Sequence, residues 1–525
     1  MVGVAGRSKA CHTCKERKIK CGGEKPDCAN CVKSGRLCAG YRRKQAFIIS
    51  QYTNTSITQS GQGKLQSAYE SGAAPVLLSR WRRDESARPL SSSPYTPGTR
   101  LSQHRGPSHS NMPSSISLRN VSRDQFLAFY IDDQCPSSSL RQAHLSKHRK
   151  WLLHLASISS LSPALEHAIL AVSTAKFGQK CQYEALASQS LPLYTRGLRE
   201  LQRAINNPIS RCDSQTITAC VMLGMYEFSE CPGRTVGGYM KHYQGAMTLL
   251  QLRGPGQHVN GLAHDMFQVL RMHTVYQGLR QRQATILVQP EWMEEPYASK
   301  PKSSHDVLLD IFLQIPSILA RMDTLLSIPR HQDVVIGISD LLTSCLALDE
   351  KLKSWFLAYQ SATGSLYWPE LSTTPSITDH PELGKTFPVS FHFPSYAVAE
   401  SIVLYWTVQV LLHAQICGLR FKLFKRSQGA AETAEGVLLG TATGPSGHQA
   451  EWPQTSARYV CQSVEYFLGN KFQNIGPGSI LPPLIVVRTC LSALPKDWTR
   501  ETSWINEMIG RIQNMGANLA EHTNI

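Results

Sequence analysis

Cys11-His12-Thr13-Cys14-Lys15-Glu16-Arg17-Lys18-Ile19-Lys20-Cys21 opens the stretch that decides how the N-terminal end of this chain folds, and Cys28-Ala29-Asn30-Cys31 with Cys38 completes it. The six cysteines are spaced C-x2-C-x6-C-x6-C-x2-C-x6-C, so two similar halves follow one another. Zinc takes four ligands in a tetrahedron, with thiolate sulfurs at ~2.3 Å. Two separate four-sulfur sites would need eight thiolates, but six suffice when two are shared between two ions. Each CxxC pair supplies a chelating loop, and each x6 segment has room for about one and a half helical turns at ~3.6 residues per turn. Residues 7–44 contain few large apolar side chains, chiefly Ile19, Val32, Leu37 and Tyr41. That is too little for a core, so order is expected to come from metal ligation. The expectation is a small, metal-nucleated, two-helix zinc cluster holding two ions per chain, with Cys11, Cys14, Cys21, Cys28, Cys31 and Cys38 as ligands.

The rest of the sequence agrees with a metal rather than disulfides. Of 15 cysteines, the other nine are scattered from Cys135 to Cys490 without CxxC spacing and read as buried packing residues. Met1 to Arg7 has no apolar core of signal-peptide length, so a reducing compartment is expected, where clustered thiols bind metal. A RING-type site needs eight ligands, and no second ligand set follows Cys38. His12 is not needed as a ligand once six sulfurs complete the site.

Charge concentrates at the same end. The chain has 54 Lys+Arg and 38 Asp+Glu, a formal net charge of +16. Residues 1–44 account for +9 and residues 45–120 for +5, leaving +2 for 121–525. Two zinc ions with six thiolates contribute −2, which still leaves about +7 on the cluster, enough to neutralise several phosphates. Lys15, Arg17, Lys18 and Lys20 fall between the second and third cysteines, read here as inside the first metal-anchored helix. A helix pinned at both ends would bring its side chains to an acidic partner such as nucleic acid with little entropy left to lose. Residues 45–120 read as a basic, disordered linker: Ser86 to Ser117 holds ten Ser and five Pro with almost nothing apolar to bury.

Over residues 7–44 the six cysteines, the basic run and Pro26 resemble the fungal binuclear zinc-cluster transcription factors. The resemblance implies that Cys11 and Cys28 bridge the two metals. It implies that the basic segment reads a CGG triplet, with Lys18 making the main base contact, Arg17 assisting, and Lys15 and Lys20 nearer the phosphates. Arg42, Arg43 and Lys44 would reach neighbouring phosphates or serve nuclear import. Gly22 departs from the family, where many members carry Asp, but touches no ligand. Residues 45–78 show no heptads, so no coiled coil is evident; monomeric binding and a homodimer through the large domain both stay open.

Residues 121–525 read as all-α. Helices are expected over Leu191–Ile205, Thr216–Phe228 with Asp213 as cap, Tyr239–Leu252, His264–Gln281, Val307–Met322, Val334–Phe356, Tyr396–Phe424, Thr455–Leu468 and Trp504–Ala520, and from Ser162-Pro163 onward. Ser361–Pro394 and Ser427–Gly447 are expected loops. The uncharged run Ser401–Leu419 is interrupted by Thr407, Gln409, His413 and Gln415, which fits a buried core helix and a protein without a membrane partner. Trp498 to Met508 fits a terminal packing helix as well as an activation segment. Tyr239 to Pro255, with His242, Gly245, Ala246, Leu249, Leu250 and Arg253-Gly254-Pro255, resembles the regulatory region of the same fungal family. His242 reads as a packing histidine rather than an effector ligand.

No HExxH, GxxxxGK[ST], GxSxG or complete GxGxxG occurs, so no enzyme is expected. The combined expectation is a nuclear, sequence-specific DNA-binding regulator of RNA polymerase II transcription. Its partners would be double-stranded DNA with CGG-type half-sites and the transcription machinery or co-regulators, with a metabolic or secondary-metabolite gene set as target. The rival is a zinc-stapled interaction or co-regulator protein without specific DNA binding.

Overall fold

The computed structural model describes residues 11, 13–14, 17–23, 28–36 and 38 near the N-terminus, and 124–125, 127–128, 130–131, 150–182, 184–230, 237–327, 331–427, 453–469, 472, 475–492 and 498–515 further on. Two compact units make up the chain, Met1–Ser115 and Ile116–Ile525. The linker expected over 45–120 and the loop residues 428–447 lie outside the described residues.

In the first unit, Thr13 and Cys14 are helical, and a short helix α1 spans Ala29–Lys33. Its buried centre is sulfur: Cys11, Cys14, Cys28 and Cys31, with Cys21 and Cys38 packed against them. Ile19 and Val32 point outward, 40% and 63% exposed. Four thiols bury too little apolar area to offset chain entropy, so ligation has to supply the stability.

The second unit is built almost wholly of helices. Residues at 124–131 are helical where described, followed by α2 (Lys150–Ser157) and α3 (Pro163–Lys180). Ser162 starts α3 as expected: its Oγ accepts from the Leu165 N–H at 3.4 Å, Pro163 occupies the first turn, and Glu166 faces the positive helix end. Then come α4 (Glu184–Asn206), α5 (Ser214–Glu230), α6 (Gly237–Arg253) and α7 (Gly261–Gln281). Asp213 begins α5, its carboxylate accepting from the Gln215 N–H at 2.7 Å. Gly254, at φ 83°, and Pro255 end α6 where the sequence predicts.

The expected helix Val307–Met322 divides into α9 (Ser304–Phe312) and α10 (Ile315–Leu326), after the short α8 (Pro290–Glu294). Pro316 in the first turn of α10 has no N–H to continue α9, so the helix restarts. The buried Arg271 of α7 ties α9 in place, paired with Asp306 and Asp310 and donating to the Tyr297 Oη at 2.5 Å.

Helix α11 runs over His331–Thr363, longer than Val334–Phe356. Beyond it, the loop expectation for Ser361–Pro394 needs correcting, although the unit as a whole is helical as expected. Two four-residue strands, β1 (Trp368–Leu371) and β2 (Val389–His392), pair antiparallel with Trp368 opposite His392 and Leu371 opposite Val389. Strands this short, one containing Pro369, show no period-2 signal long enough to read.

Helix α12 (Tyr396–Ser427) carries the uncharged run. By length and composition, Tyr396–Phe424 could cross a membrane, but its most apolar window is 78% buried within the protein. Three of its polar side chains find partners inside: Thr407 Oγ1 donates to the Val403 carbonyl (2.7 Å), Ser456 Oγ donates to Gln409 Oε1 (3.0 Å), and His413 Nε2 meets Asp349 Oδ1 at 2.8 Å. The expected Thr455–Leu468 helix divides into α13 (Pro453–Gln462) and α14 (Val464–Leu468). Helix α15 (Ile475–Ser492) was not expected, because Pro477, Pro482 and Pro483 lie within it. Last, α16 (Thr499–Asn514) buries Trp504, Ile505 and Met508, a packing helix at this position.

Candidate metal centre and nucleic-acid interface

The two halves of the cysteine cluster repeat one backbone design at an offset of 17 residues. In the second half, Cys28 is the N-cap of α1, and its sulfur accepts from the Cys31 N–H at 3.3 Å. In the first, the Cys11 sulfur accepts from the Cys14 N–H at 3.4 Å. The Arg36 N–H donates to the Cys31 carbonyl (3.0 Å), and the Ile19 N–H donates to the Cys14 carbonyl (3.1 Å). These are helix-closing bonds around one left-handed residue, Gly35 at φ 63° and Lys18 at φ 54°. The last cysteine of each half returns to the first: the Cys11 N–H donates to the Cys21 sulfur (3.3 Å), and the Cys28 N–H to the Cys38 sulfur (3.5 Å).

This design gathers the sulfurs into two overlapping sets of four. Cys11, Cys14, Cys21 and Cys28 lie within 4.8 Å of one another, and so do Cys11, Cys28, Cys31 and Cys38. Cys11 and Cys28 belong to both sets. Their sulfurs stand 3.6 Å apart, Cys14 to Cys28 is also 3.6 Å, and Cys11 to Cys31 is 3.9 Å. Ligands at ~2.3 Å in a tetrahedron are separated by about 3.8 Å, so the spacing fits zinc. Burial pushes the Cys31 thiol up to about 12. Ionising several such thiols together is costly unless a divalent cation shares the space.

Arg17, Lys18 and Lys20 are exposed. The structure corrects their setting: Arg17 and Lys18 form the turn that closes the first helical segment, and Lys20 follows outside any helix or strand, rather than all lying within a helix. The left-handed backbone at Lys18 ends the helix there. Lys15, Arg42, Arg43 and Lys44, together with His12, lie outside the described residues. A contact not read from the sequence joins the halves: the Asn30 side-chain amide donates to the Lys20 carbonyl.

In the helical unit, His242 is buried on α6 with Nε2 3.2 Å from the Tyr194 Oη, which also donates to Glu227 Oε1 at 2.5 Å. Burial holds this histidine down to about 4. The remaining cysteines are not uniformly buried, contrary to expectation: Cys220, Cys345 and Cys461 are, Cys212, Cys417 and Cys490 are half-buried, and Cys181 is exposed, one residue past the end of α3. Cys135 and Cys231 lie outside the described residues.

One chain that carries a sulfur-centred module with a basic turn and, as a separate unit, a large helical region has the make-up of a metal-cluster regulator of transcription. Comparison with known proteins agrees. Residues 9–46 match the fungal Zn(2)-Cys(6) binuclear cluster domain, which binds two zinc ions, and residues 125–378 match the fungal specific transcription factor domain. The chain thus carries both domains that mark the fungal binuclear zinc-cluster transcription factors. An uncharacterized protein of Emericella nidulans is 27% identical over 147 residues, covering 27% of this chain and 31% of that protein. Transcription factor macR of Penicillium terrestre is 35% identical over 94 residues, 18% of this chain and 10% of its own length. The chain thus spans under a third of either relative. No solved structure matches.

Proposed function

We propose that this protein is a nuclear, sequence-specific regulator of RNA polymerase II transcription that reads CGG-type triplets in the major groove. The observation that carries the reading is the pair of four-sulfur sets sharing Cys11 and Cys28, with the exposed turn Arg17-Lys18 hung between Cys14 and Cys21. In this reading Cys11 and Cys28 would be shared by the two ions, and Cys14, Cys21, Cys31 and Cys38 would each serve one. Bound zinc supplies a rigid scaffold and offsets the thiolate charge.

The chain's own residues do the reading. Lys18 donates to guanine O6 and N7, with Arg17 beside it. Lys15, Lys20, Arg42, Arg43 and Lys44 neutralise phosphates, which orient the module but carry no sequence information. The left-handed backbone at Lys18 supports this division, because a costly conformation kept at an exposed cation fits a residue retained for what it touches. The working boundaries are 7–44 for the DNA-binding cluster, 45–120 for a linker and 121–525 for the regulatory domain. Co-regulators would engage the last of these, and it has no catalytic role in this scheme.

The test is selection of bound sequences from random DNA with the zinc-loaded chain. Enrichment of CGG triplets is the expected outcome. A protein that enriches no sequence would instead be the zinc-stapled interaction protein.

A further inference from the structure

Asn30 ligates nothing, yet it spans the two halves of the cluster at the point where the basic segment leaves it. It sits in the second position of α1, and its side-chain amide donates to the Lys20 carbonyl. Its own backbone is anchored: the Asn30 carbonyl accepts from the Ser34 N–H (3.3 Å) and the Ser34 Oγ (2.8 Å). At the other end of the same short stretch, the Ile19 N–H is held by the Cys14 carbonyl. The Lys18–Ile19 peptide and the Lys20 carbonyl are therefore both fastened, the first by the helix-closing bond and the second by Asn30. This stretch carries the strained φ of 54° at Lys18.

We infer that Asn30 is a positioning residue for base reading: by fixing the Lys20 carbonyl it sets the path of the Lys18–Lys20 backbone and so the aim of the Lys18 side chain. This rests on the reading of Lys18 as the base contact. A hydrogen bond to a guanine edge demands placement within a few tenths of an ångström, whereas a phosphate contact tolerates a swinging lysine. Loss of the Asn30 tether should therefore reduce discrimination between DNA sequences more than it reduces binding to DNA in general.

The experiment uses the full zinc-loaded chain as wild type, Asn30→Ala and Asn30→Gln. The DNA is a duplex selected by the wild type and the same duplex with its preferred triplet scrambled. Asn30→Ala is expected to keep wild-type zinc content and to lose about 3- to 10-fold in affinity for the selected duplex, the scale of one hydrogen bond. Affinity for the scrambled duplex should change by less than about twofold and the salt dependence should not change, because phosphate contacts are retained. Asn30→Gln keeps a donor on a longer arm and should recover part of the lost discrimination. The inference is overturned if Asn30→Ala discriminates as the wild type does. It is equally overturned if that variant loses zinc and all DNA binding together, which would make Asn30 a part of the cluster fold only. A wild type that prefers neither duplex would strike the proposed function itself, a different result from either.

Discussion

Lys18 and Gly35 occupy the same position in the two halves of the cysteine cluster. They are 17 residues apart in sequence, each lies four residues after the second cysteine of its CxxC pair, and each has a left-handed backbone, at φ 54° and 63°. Glycine adopts that conformation freely, while a side chain there costs roughly 1–2 kcal/mol. The repeated cysteine spacing imposes the same turn twice, but only the first half places a long cation on it. Strain retained at an exposed basic residue fits a residue kept for what it touches.

Lys18 can be tested with two substitutions that separate side chain from backbone. Lys18→Ala should cost on the order of 1–3 kcal/mol on a CGG-containing site and relax preference there, measured as the ratio of affinities for matched and altered sites. Equal loss on every DNA would make Lys18 a phosphate contact. Lys18→Gly should lose the same preference while the cluster resists chelator at least as well as wild type, since glycine relieves the left-handed strain.

Metal removal should divide the molecule. Zinc analysis is expected to give about two ions per chain, because six sulfurs in two sets sharing a pair can complete two tetrahedra. A strong chelator should abolish DNA binding while the helical signal in circular dichroism stays near its starting value, because the large unit holds its own apolar core. One zinc per chain, or general unfolding on chelation, would contradict this division.

Bridging and terminal sulfurs should differ in consequence. Cys11→Ser removes a sulfur that belongs to both four-membered sets, whereas Cys38→Ser removes one that belongs to a single set. The first is expected to lose both ions and all sequence-specific binding, the second to keep a share of each. Paired zinc analysis and DNA titration of the two variants read this directly; equal damage would argue against shared sulfurs.

The helical unit should weaken on mild acidification through His242. Burial holds its folded pKa down to about 4, against an ordinary 6.5, so the unfolded chain takes up the proton first. The contribution is complete above about 6.5 and is lost as pH falls from there toward 4, amounting to about 3 kcal/mol at ~1.36 kcal/mol per unit. Neighbouring Glu227 is raised by burial and acts in the opposite sense, so the informative quantity is the difference between wild type and His242→Gln. Urea melts at pH 7 and pH 5 should show the variant losing less stability than wild type over that interval.

How much was legible in the residues varies along the chain for physical reasons. The metal centre could be read because its ligands are clustered: all six sulfurs fall within residues 11–38, in two CxxC-x6-C halves whose spacing limits the geometry. Helix starts at Ser162 and Asp213 and the stop at Gly254-Pro255 could be read for a similar reason, since capping involves only the next few residues. The bend that puts Lys18 outside a helix is not legible in the residues, because lysine is an ordinary helix former and the turn goes with contacts of the folded cluster, among them the return of Cys21 to the Cys11 N–H.

The sequence by itself determined the six-sulfur cluster, its basic companion residues and the helical character of the long C-terminal region. The tertiary structure alone decided what prolines and polar groups do once packed. Pro477, Pro482 and Pro483 argue against a helix locally, yet α15 forms because Ile480, Leu484, Ile485 and Val487 are buried and Tyr396 reaches in to donate to the Ile475 carbonyl and Ser479 Oγ. Likewise, the sequence does not show that Asn30 will find the Lys20 carbonyl, because that contact exists only after the sulfurs have drawn the two halves together. Local signals report what neighbouring residues can do for one another; burial and contacts across the chain set the balance where those local preferences are weak or opposed.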